Sequence, residues 1–259
     1  MKNKTIPASA YIHGIRLVNL SLTESLIAIE AALIGKNRTR ISFVNADCVN
    51  IASTDEDYRH LLQTSDWVFI DGIGMRIAGK MMDQPVRDNV NGTDMFPLLC
   101  QSMADSGKSL YLLGAKPGVA EDVAAWAKQK YPNLRIAGTQ HGYYTANEEV
   151  EVIEKIRQSK ADILLVAMGV PFQEKWIHTH MDECCVTIAM GVGGLFDFYS
   201  GRIPRAPLWM RKVGLEWFFR FMQEPGRLWQ RYLVGNGVFL VRILMDWINV
   251  HLHKNRGSL

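Results

Sequence analysis

The sequence predicts an α/β fold, with a mostly parallel sheet that carries helices on both faces and a helical appendage at its C-terminal end. Between residues 40 and 191, short apolar runs rich in β-branched residues alternate with amphipathic stretches of helical length. With 48% hydrophobic and 21% charged residues in 259, the chain can bury a large core. The composition shifts near residue 201, which divides the chain into a core of residues 1–200 and an appendage of residues 201–259.

The apolar patterns of the core predict strands and helices in strict alternation. The predicted strands are Ile41–Asn45, Trp67–Ile70, Ser109–Leu113, Leu134–Gly138, Asp162–Met168 and Val186–Met190. The predicted helices are Asp55–Gln63, Ile73–Met82, Asp94–Ser106, Val119–Lys130, Glu148–Ser159 and Gln173–His180. Because a helix separates consecutive strands, the strands can run parallel, with the helices covering the faces of the sheet.

Ligands of such sheets bind beyond the carboxyl ends of the strands, so the residues at those ends are the first candidates for a site. They are Asn45, Asp71-Gly72, Gly114-Ala115, Gly169-Val170-Pro171 and Gly191-Val192-Gly193-Gly194. Their glycines let the backbone approach a ligand closely. We therefore expect chemistry at this edge of the sheet.

Asp71 is the most suggestive acid at this edge. It follows an apolar strand that begins at Trp67 and precedes Gly72-Ile73-Gly74, so the pattern places a carboxylate beside glycine-rich backbone. Such an aspartate can take part in catalysis, or it can simply cap the helix that follows. The sequence pattern alone leaves both interpretations open.

An acidic run, Asp55-Glu56-Asp57, has the spacing with which some enzymes hold a divalent metal on a nucleotide diphosphate. Thr54 precedes it at a helix-cap position, and acids in a first helical turn favour the helix dipole without any ligand. We therefore interpret the run as the start of a helix and predict no metal site. Basic side chains or backbone N–H groups then have to neutralise any bound diphosphate, and the arginines of the appendage can supply the former.

Several other kinds of site lack support in the sequence. Gly191-Val-Gly-Gly lacks the third glycine of a dinucleotide fingerprint, and Gly107-Lys-Ser precedes a strand where a P-loop follows one. The four cysteines show neither CxxC spacing nor a nearby histidine, which argues against zinc and disulfides and favours a reducing compartment. The first 26 residues lack the continuous apolar run of a signal peptide, so we expect no export by that route.

The appendage has a net charge of +7, whereas residues 1–200 have −4. Four of the seven tryptophans also lie in the appendage, among its ten lysines and arginines. Tryptophan and arginine mixed on helices are typical of a membrane–water interface, where indoles sit at headgroup depth and arginines meet phosphates. The appendage therefore predicts an anionic membrane surface as a partner. We expect no nucleic-acid partner, and a homo-oligomer stays open.

The end of the appendage predicts a helix that lies in the interface and does not cross the membrane. Its longest uncharged run is the ten residues Tyr232–Val241, whereas a spanning helix needs about 20 apolar residues. On a helix, Arg242, Asp246, Asn249 and His253 form a narrow polar stripe opposite an apolar face. A helix docked on a protein partner is the alternative.

Several motifs together resemble the WecG/TagA/CpsF glycosyltransferases, glycosyltransferase family 26, and they follow one another in register between about residues 10 and 232. They are Phe43-Val-Asn45-Ala-Asp, Asp71-Gly-Ile-Gly, Gly169-Val-Pro-Phe-Gln173-Glu-Lys-Trp, Gly191-Val-Gly-Gly-Leu-Phe-Asp197-Phe, Arg205-Ala-Pro, and Gly214-Leu-Glu-Trp-Phe-Phe-Arg220 with Glu224-Pro-Gly-Arg227. Each motif alone is weak, but the whole set in one order is highly specific.

The resemblance implies a modified Rossmann-like fold and an inverting glycosyltransferase that needs neither metal nor cofactor. It implies a UDP-sugar donor, an undecaprenyl-diphosphate-linked glycan acceptor, a role in bacterial cell-surface polysaccharide synthesis, and a place at the inner face of the cytoplasmic membrane. The roles that it implies are catalytic base for Asp71, donor binding for Asn45, Gly114, Gln173 and Asp197, and acceptor or diphosphate binding for Asn89, Arg220, Arg227 and Arg231.

The chain departs from the family pattern at three positions. Phe43 stands where members often have Thr, and Asn89 stands where an Arg precedes Val-x-Gly. A third appendage arginine usually follows Arg227, and Arg231 is the candidate, with its register open. These differences bear on the identity of the sugar more than on the type of reaction.

Two other functions remain open from the residues alone. One is a metal-dependent nucleotide-sugar transferase that uses Asp55 and Asp57 as metal ligands. The other is a peripheral nucleotide-binding module without enzymatic activity. Activity that survives a chelator would oppose the first, and measurable sugar turnover would oppose the second.

Overall fold

The computed structural model describes residues 9–256, and the side chains of residues 9–251. Its strands are β1 (Ser9–Ile12), β2 (Ile15–Val18), β3 (Thr39–Val44), β4 (Trp67–Ile70), β5 (Ser109–Gly114), β6 (Arg135–Gln140), β7 (Ile163–Ala167) and β8 (Ile188–Gly191). Strands β3 to β8 form a parallel sheet in the order β4-β3-β8-β7-β5-β6, and β1 pairs with β2 as a separate antiparallel hairpin. The predicted parallel α/β fold is confirmed.

All the predicted strands form, each within two residues of its predicted bounds. The β1-β2 hairpin was not predicted, because it precedes the alternating region on which the prediction relied. Its turn is His13-Gly14, where both residues have positive φ values, 50° and 73°. Two consecutive positive φ values are typical of the tight turns that connect hairpin strands.

The helices are α1 (Leu22–Ile34), α2 (Ala46–Ala52), α3 (Glu56–Thr64), α4 (Ile73–Met81), α5 (Gly92–Ser106), α6 (Val119–Lys130), α7 (Ala146–Ser159), α8 (Phe172–Cys184), α9 (Leu195–Tyr199), α10 (Leu208–Lys212), α11 (Glu216–Gln223), α12 (Pro225–Trp229) and α13 (Gly235–Arg256). A π-helical turn, Gln230–Val234, joins α12 to α13. The predicted helices correspond to α3 to α8. Helix α2 was missed because seven residues are too few to show a helical period.

Helices cover both faces of the sheet, as β5 illustrates. Leu110 and Leu112 point into a core cluster that includes side chains of α5 and α6, whereas Tyr111 and Leu113 point into a cluster with α7 and α8. The neighbouring strand β7 is buried at every position. Strands buried on both faces are continuous apolar runs because neither face meets water.

The appendage folds back onto the core through α13. Phe239 and Ile243 are almost fully buried in a cluster that includes side chains of α2 and α4. A Cβ atom added to Gly74 would lie 3.5 Å from the Phe239 ring, which shows how closely α13 packs on α4. Asp246 of α13 also lies 2.7 Å from the ring nitrogen Nδ1 of His13. The division into a core and an appendage at residue 200 stays a prediction, and these contacts join the two parts.

One helical stretch, Pro225–His251, is long and apolar enough to cross a membrane by its length and composition. The expectation that this helix lies in the interface and does not cross the membrane stays a prediction. It required one uninterrupted apolar run, whereas a continuous helix can hold an occasional charge such as that of Arg242. Only 11% of the most apolar part of this stretch is buried.

The predicted polar stripe of α13 is only partly turned to water. Arg242 and Asp246 are half-buried, Asn249 is exposed, and the side chain of His253 lies outside the described residues. The apolar face is divided, since part of it docks on the core. The apolar side chains that remain exposed include Val238, Leu240, Val241, Leu244, Met245 and Ile248.

Candidate active site

Asp71 lies at the carboxyl end of β4, beside the end of β3. Its N–H donates to the Val44 carbonyl at 2.9 Å, and the chain then turns at Gly72 with a φ of +91°. Gly72 is the N-cap residue of α4, and no described side chain caps that helix end. Helix capping therefore does not account for the aspartate at this position.

The Asp71 carboxyl has the properties of a general base. Burial raises its pKa to about 6, and the negative charge of Glu216 acts in the same direction. A hydrogen bond from the Asn45 side chain and the positive charge of Arg231 oppose the shift. Such a carboxylate is still mostly ionised at neutral pH, and it accepts a proton more readily than an ordinary aspartate.

Two asparagines hold the backbone around Asp71. Asn45 caps α2, and its Oδ1 accepts from two N–H groups in the first turn of that helix at 3.0 and 3.2 Å, while its side chain also bonds to Asp71. Asn89 Oδ1 accepts from the Gly72 N–H at 2.6 Å. Both predicted site residues therefore lie next to Asp71. The side-chain oxygen of each accepts hydrogen bonds from backbone N–H groups.

Gln173 lies beneath the loop that follows β8. It is 2% exposed, its Oε1 accepts from the Gly193 N–H at 2.9 Å, and its Nε2 donates to Glu174 Oε1 at 2.8 Å. A Cβ atom on Gly191 would approach that Nε2 to 2.8 Å, which explains the glycine there. Both ends of the carboxamide are thus occupied, and Gln173 shapes the loop.

Glu174 is a buried acid to which the sequence reasoning assigned no role. Burial raises its pKa to about 7, and its Oε2 has no hydrogen-bond partner among the described residues. The sequence does carry a signal for it, because an acid at a core-facing position of α8, one turn before Ile177, is unusual.

Arg220 reaches from α11 to the same loop. Its Nη2 lies 3.6 Å from Asp197 Oδ2, and its guanidinium sits 5.1 Å from the centre of the Phe198 ring. A Cβ atom on Gly194 would lie 2.6 Å from the guanidinium. The structure therefore joins the predicted donor-site Asp197 to a predicted diphosphate-binding arginine.

The other two predicted arginines also lie near this site. Arg227 pairs with Glu224 one turn before it and is largely exposed. Arg231 Nε lies 3.0 Å from Asp47 Oδ2, at the start of α2. The charge of Arg231 acts on Asp71. Arg231 therefore lies close to both Asp47 and Asp71.

Tyr232 of the appendage lies close to Asp71 and to the three arginines. Burial raises the pKa of its hydroxyl, Arg231, Arg220 and Arg227 lower it, and Asp71 raises it further. One side chain of the appendage is therefore in electrostatic reach of the carboxyl and of the three arginines. The appendage therefore approaches the strand ends near Asp71.

A network that the sequence reasoning missed supports this arrangement. Arg205 donates to Asp94 at 2.7 Å and to Glu216 at 2.9 Å, and Arg211 lies 3.4 Å from the same Asp94. Arg205 belongs to one of the motifs quoted above, but nothing in its spacing indicates an acid 111 residues earlier. The network ties α11 to the start of α5.

Gly114 lies at the same edge of the sheet, but its glycine has a packing explanation. Its φ is +125°, and a Cβ atom would come within 2.4 Å of the Ala167 carbonyl oxygen. Strand β5 is separated from β3 by two other strands. The structure therefore does not bring Gly114 into contact with the Asp71 group.

The acidic run begins a helix, as its neighbouring threonine suggested. Asp55 Oδ1 accepts from the Tyr58 N–H at 2.8 Å, and Asp55 Oδ2 lies 3.3 Å from Lys175 Nζ. Asp55 is thus the N-cap residue of α3, one position later than predicted. Within residues 9–251 there is no group of three or more His, Cys, Asp or Glu side chains that could hold a metal ion.

Comparison with known proteins identifies the group to which this site belongs. The sequence profile of the "Glycosyl transferase WecG/TagA/CpsF family" matches residues 10–252. An N-acetylglucosaminyldiphosphoundecaprenol N-acetyl-beta-D-mannosaminyltransferase of Bacillus subtilis (strain 168) is 34% identical over 223 residues, 86% of each chain. Proteins of the same name from Bacillus spizizenii and Staphylococcus aureus (strain MW2) are 30% identical over 86% of each chain and 28% identical over 88% of this chain and 90% of the relative.

The profile covers nearly the whole chain, and the Bacillus subtilis relative matches 86% of it. The motifs that carried the resemblance lie around Asp71, Gln173, Asp197 and Arg220, which the fold gathers at one edge of the sheet. This chain therefore belongs to the WecG/TagA/CpsF family of glycosyl transferases.

Proposed function

We propose that this protein transfers a sugar from a UDP donor to an undecaprenyl-diphosphate-linked acceptor, without a metal and with inversion at the anomeric carbon. The observation that carries the proposal is the Asp71 carboxyl, with its raised pKa, within reach of the appendage arginines. The names of the relatives narrow the substrates to an N-acetylmannosamine donor and an N-acetylglucosaminyl-diphosphoundecaprenol acceptor.

In the proposed reaction, Asp71 accepts the proton of the acceptor hydroxyl as its oxygen attacks the anomeric carbon. The new carbon–oxygen bond forms on the side opposite the UDP, so the configuration inverts. The bond to the UDP breaks, and its electron pair stays on the β-phosphate oxygen. A positioned base of this kind contributes about 10²–10⁴-fold to the rate.

The leaving UDP gains negative charge as the bond breaks, and cations already in place stabilise that charge. Arg220 stands at the loop after β8, and Arg231 stands between α2 and Asp71. Arg227 lies next to them and can turn inward, because among the described side chains it forms an ion pair only with Glu224 on the surface. We assign these three arginines to the diphosphate.

The remaining predicted residues shape the donor pocket. Asn45 and Asn89 hold the strand ends on both sides of Asp71, and Asp197 orients Arg220. Gln173 acts through the loop, because it fixes the Gly193 N–H.

The direct test is a transfer assay with the purified full-length protein. We expect it to consume UDP-N-acetylmannosamine in the presence of a short-chain lipid-diphosphate-N-acetylglucosamine acceptor, and to discriminate against UDP-glucose and UDP-N-acetylglucosamine. NMR of the product is expected to show the inverted anomeric configuration. Excess EDTA is expected to leave the rate essentially intact. Loss of activity in EDTA that Mn²⁺ or Mg²⁺ restores would instead support the metal-dependent alternative, and no turnover with any donor would support a binding module.

The acceptor is a membrane lipid, so the enzyme has to work at the membrane surface. The appendage carries a net charge of +7, and α13 exposes a row of apolar side chains beside the core. Each Lys or Arg close to an anionic leaflet contributes about 1 kcal/mol to binding, before screening by salt. We propose that α13 attaches the enzyme to the inner face of the cytoplasmic membrane while Phe239 keeps it on the core.

Two outward side chains of α13 allow this attachment to be tested without disturbing the fold. Val241 and Met245 are 50% and 58% exposed and lie one helical turn apart. We expect the double variant Val241→Glu, Met245→Glu to lower sedimentation with phosphatidylglycerol vesicles about tenfold or more, because it removes apolar contact and adds two negative charges. The matched control is Val150→Glu on α7. Equal sedimentation of the wild type and the double variant would show that this face does not meet the membrane.

A further inference from the structure

A groove lies along one side of α4. It encloses about 580 Å³ between α4 and the segment that follows it. Its apolar lining comes from Ile73, Ile77, Pro85 and Val86, and one acid, Asp83, also lines it. Two cations, Arg76 and Lys80, stand on the same face of the helix, three and seven residues after Ile73.

The groove begins next to the reaction centre. Ile73, at its upper end, is two residues from Asp71 in sequence, and a Cβ atom on Gly214 of the appendage would lie 2.9 Å from its side chain. The adjacent face of the same helix receives α13 at Gly74. The end of the groove nearest Asp71 therefore also lies beside the appendage.

The two cations of the groove differ from the arginines described above. Arg205, Arg220, Arg227 and Arg231 each face an acid at 4 Å or less. Arg76 and Lys80 are exposed, and neither forms an ion pair or hydrogen bond with any residue that the structure describes. They are the closest cations to Asp71 along α4. Their charge is available to an anion.

An apolar floor with two cations and one acid has a net positive charge, which matches an amphiphilic anion. At about 1.5 Å per residue, the helix carries Ile73 and Lys80 about 10 Å apart along its axis. That length accommodates a diphosphate at the cations together with the start of an apolar chain. In the proposed reaction, the diphosphate of the donor and that of the acceptor both lie near Asp71. Two separate groups of cations can bind them at different places.

Building on the proposed transferase function, we infer that this groove binds the diphosphate and the first isoprene units of the polyprenyl acceptor. Arg76 and Lys80 face the phosphates, and Ile73, Ile77 and Val86 contact the chain. The groove thereby sets the acceptor sugar against Asp71, while the appendage arginines hold the donor.

The first experiment measures binding, so it does not depend on turnover. Farnesyl diphosphate serves as the probe in calorimetric titrations of the full-length protein. We expect the double variant Arg76→Glu, Lys80→Glu to weaken its binding about tenfold or more, because each reversal replaces a charge-assisted contact by repulsion. Lys128→Glu on α6, at the opposite edge of the sheet, is the matched control and is expected to bind like the wild type.

A second variant tests the contacts with the isoprene chain separately from the contacts with the phosphates. Ile77 is 43% exposed, so Ile77→Asn is expected to preserve the fold, with Val150→Asn on α7 as its control. Ile77→Asn should raise the KM of a farnesyl-linked acceptor severalfold and leave that of a butyl-linked acceptor unchanged. Arg76→Glu, Lys80→Glu should raise both acceptor KM values and leave the donor KM within about twofold.

The outcomes distinguish the groove from the proposed reaction. If the wild type binds farnesyl diphosphate through Arg76 and Lys80 but transfers no sugar, the reaction is wrong and the groove stands. If the wild type transfers sugar and the variants match it in probe binding and acceptor KM, the groove is wrong. If the double variant loses only sedimentation with anionic vesicles, the two cations meet lipid headgroups and the acceptor assignment is overturned.

Discussion

Asp71→Asn is expected to lower kcat by about 10²-fold or more while the protein still folds and binds UDP. The amide keeps the shape of the carboxyl but cannot accept the proton of the acceptor hydroxyl. In the wild type, kcat/KM is expected to fall as the pH is lowered through about 6, because protonation of Asp71 removes the base. Steady-state kinetics between pH 5 and 8 would measure both effects.

Asp71→Asn is also expected to affect stability. It lowers kcat, but it should not lower the Tm and can raise it. Because burial raises the pKa of Asp71, the folded state disfavours its ionised form, and that cost develops as the pH rises through the folded pKa. Asp71→Asn should therefore unfold at an equal or higher Tm than the wild type at pH 8, with a smaller gain at pH 5. Asp122→Asn, an exposed aspartate on α6 that pairs with Arg202, is the control for both measurements. Near-normal turnover in Asp71→Asn would refute the base assignment.

Arg220→Ala is expected to lower kcat by about 10²-fold, because it removes a cation that acts on charge developing in the transition state. It also removes the ion-pair partner of Asp197, which we propose lies in the donor site. The control is Arg202→Ala, another appendage arginine with a single ion pair, which should retain wild-type turnover. Transfer rates and vesicle sedimentation would be measured on the same preparations.

Arg227→Ala tests how far the exposed arginine contributes. It should also impair turnover, but less than Arg220→Ala, because Arg227 has to leave Glu224 to reach a diphosphate. Vesicle sedimentation should stay mostly unchanged in both variants, since each removes one of ten basic side chains in the appendage. If either variant lost sedimentation and turnover in proportion, the arginines would act as membrane contacts and their place in the active site would be wrong.

Two kinds of acceptor would separate the effect of a variant on the reaction from its effect on membrane attachment. A soluble acceptor would report the chemistry at Asp71 and Arg220, whereas a vesicle-borne acceptor would also report the attachment of α13. Comparing the two acceptors for each variant therefore assigns a residue either to the reaction or to the membrane. The Val241→Glu, Met245→Glu variant should lose activity only with the vesicle-borne acceptor.

The sequence by itself determined the elements and the edge at which the site lies. Alternating apolar runs predicted every strand of the parallel sheet, because a buried strand and an amphipathic helix have different local periods. The end of a strand is also a local feature, so Asp71, Asn45 and the glycines after β8 could be placed at the ligand edge. The motifs around them were sufficient to identify the family.

Only the tertiary structure decided which of these residues meet. The pairing of Arg220 with Asp197, of Arg231 with Asp47, and of Arg205 with an acid 111 residues away depends on how the appendage packs. No local period carries that information, since it arises when α13 docks Phe239 and Ile243 on the core and brings the rest of the appendage with it. The same packing brings Glu216 close enough to raise the pKa of Asp71.

Tertiary packing also decided what individual polar groups do. Gln173 is a conspicuous motif residue, yet burial commits both ends of its carboxamide to the loop and to Glu174. The apolar face of α13 looks uniform in the sequence, but Phe239 and Ile243 dock on the core while Val241 and Met245 remain exposed. A sequence pattern shows that a face is apolar, and only the folded chain determines what covers it.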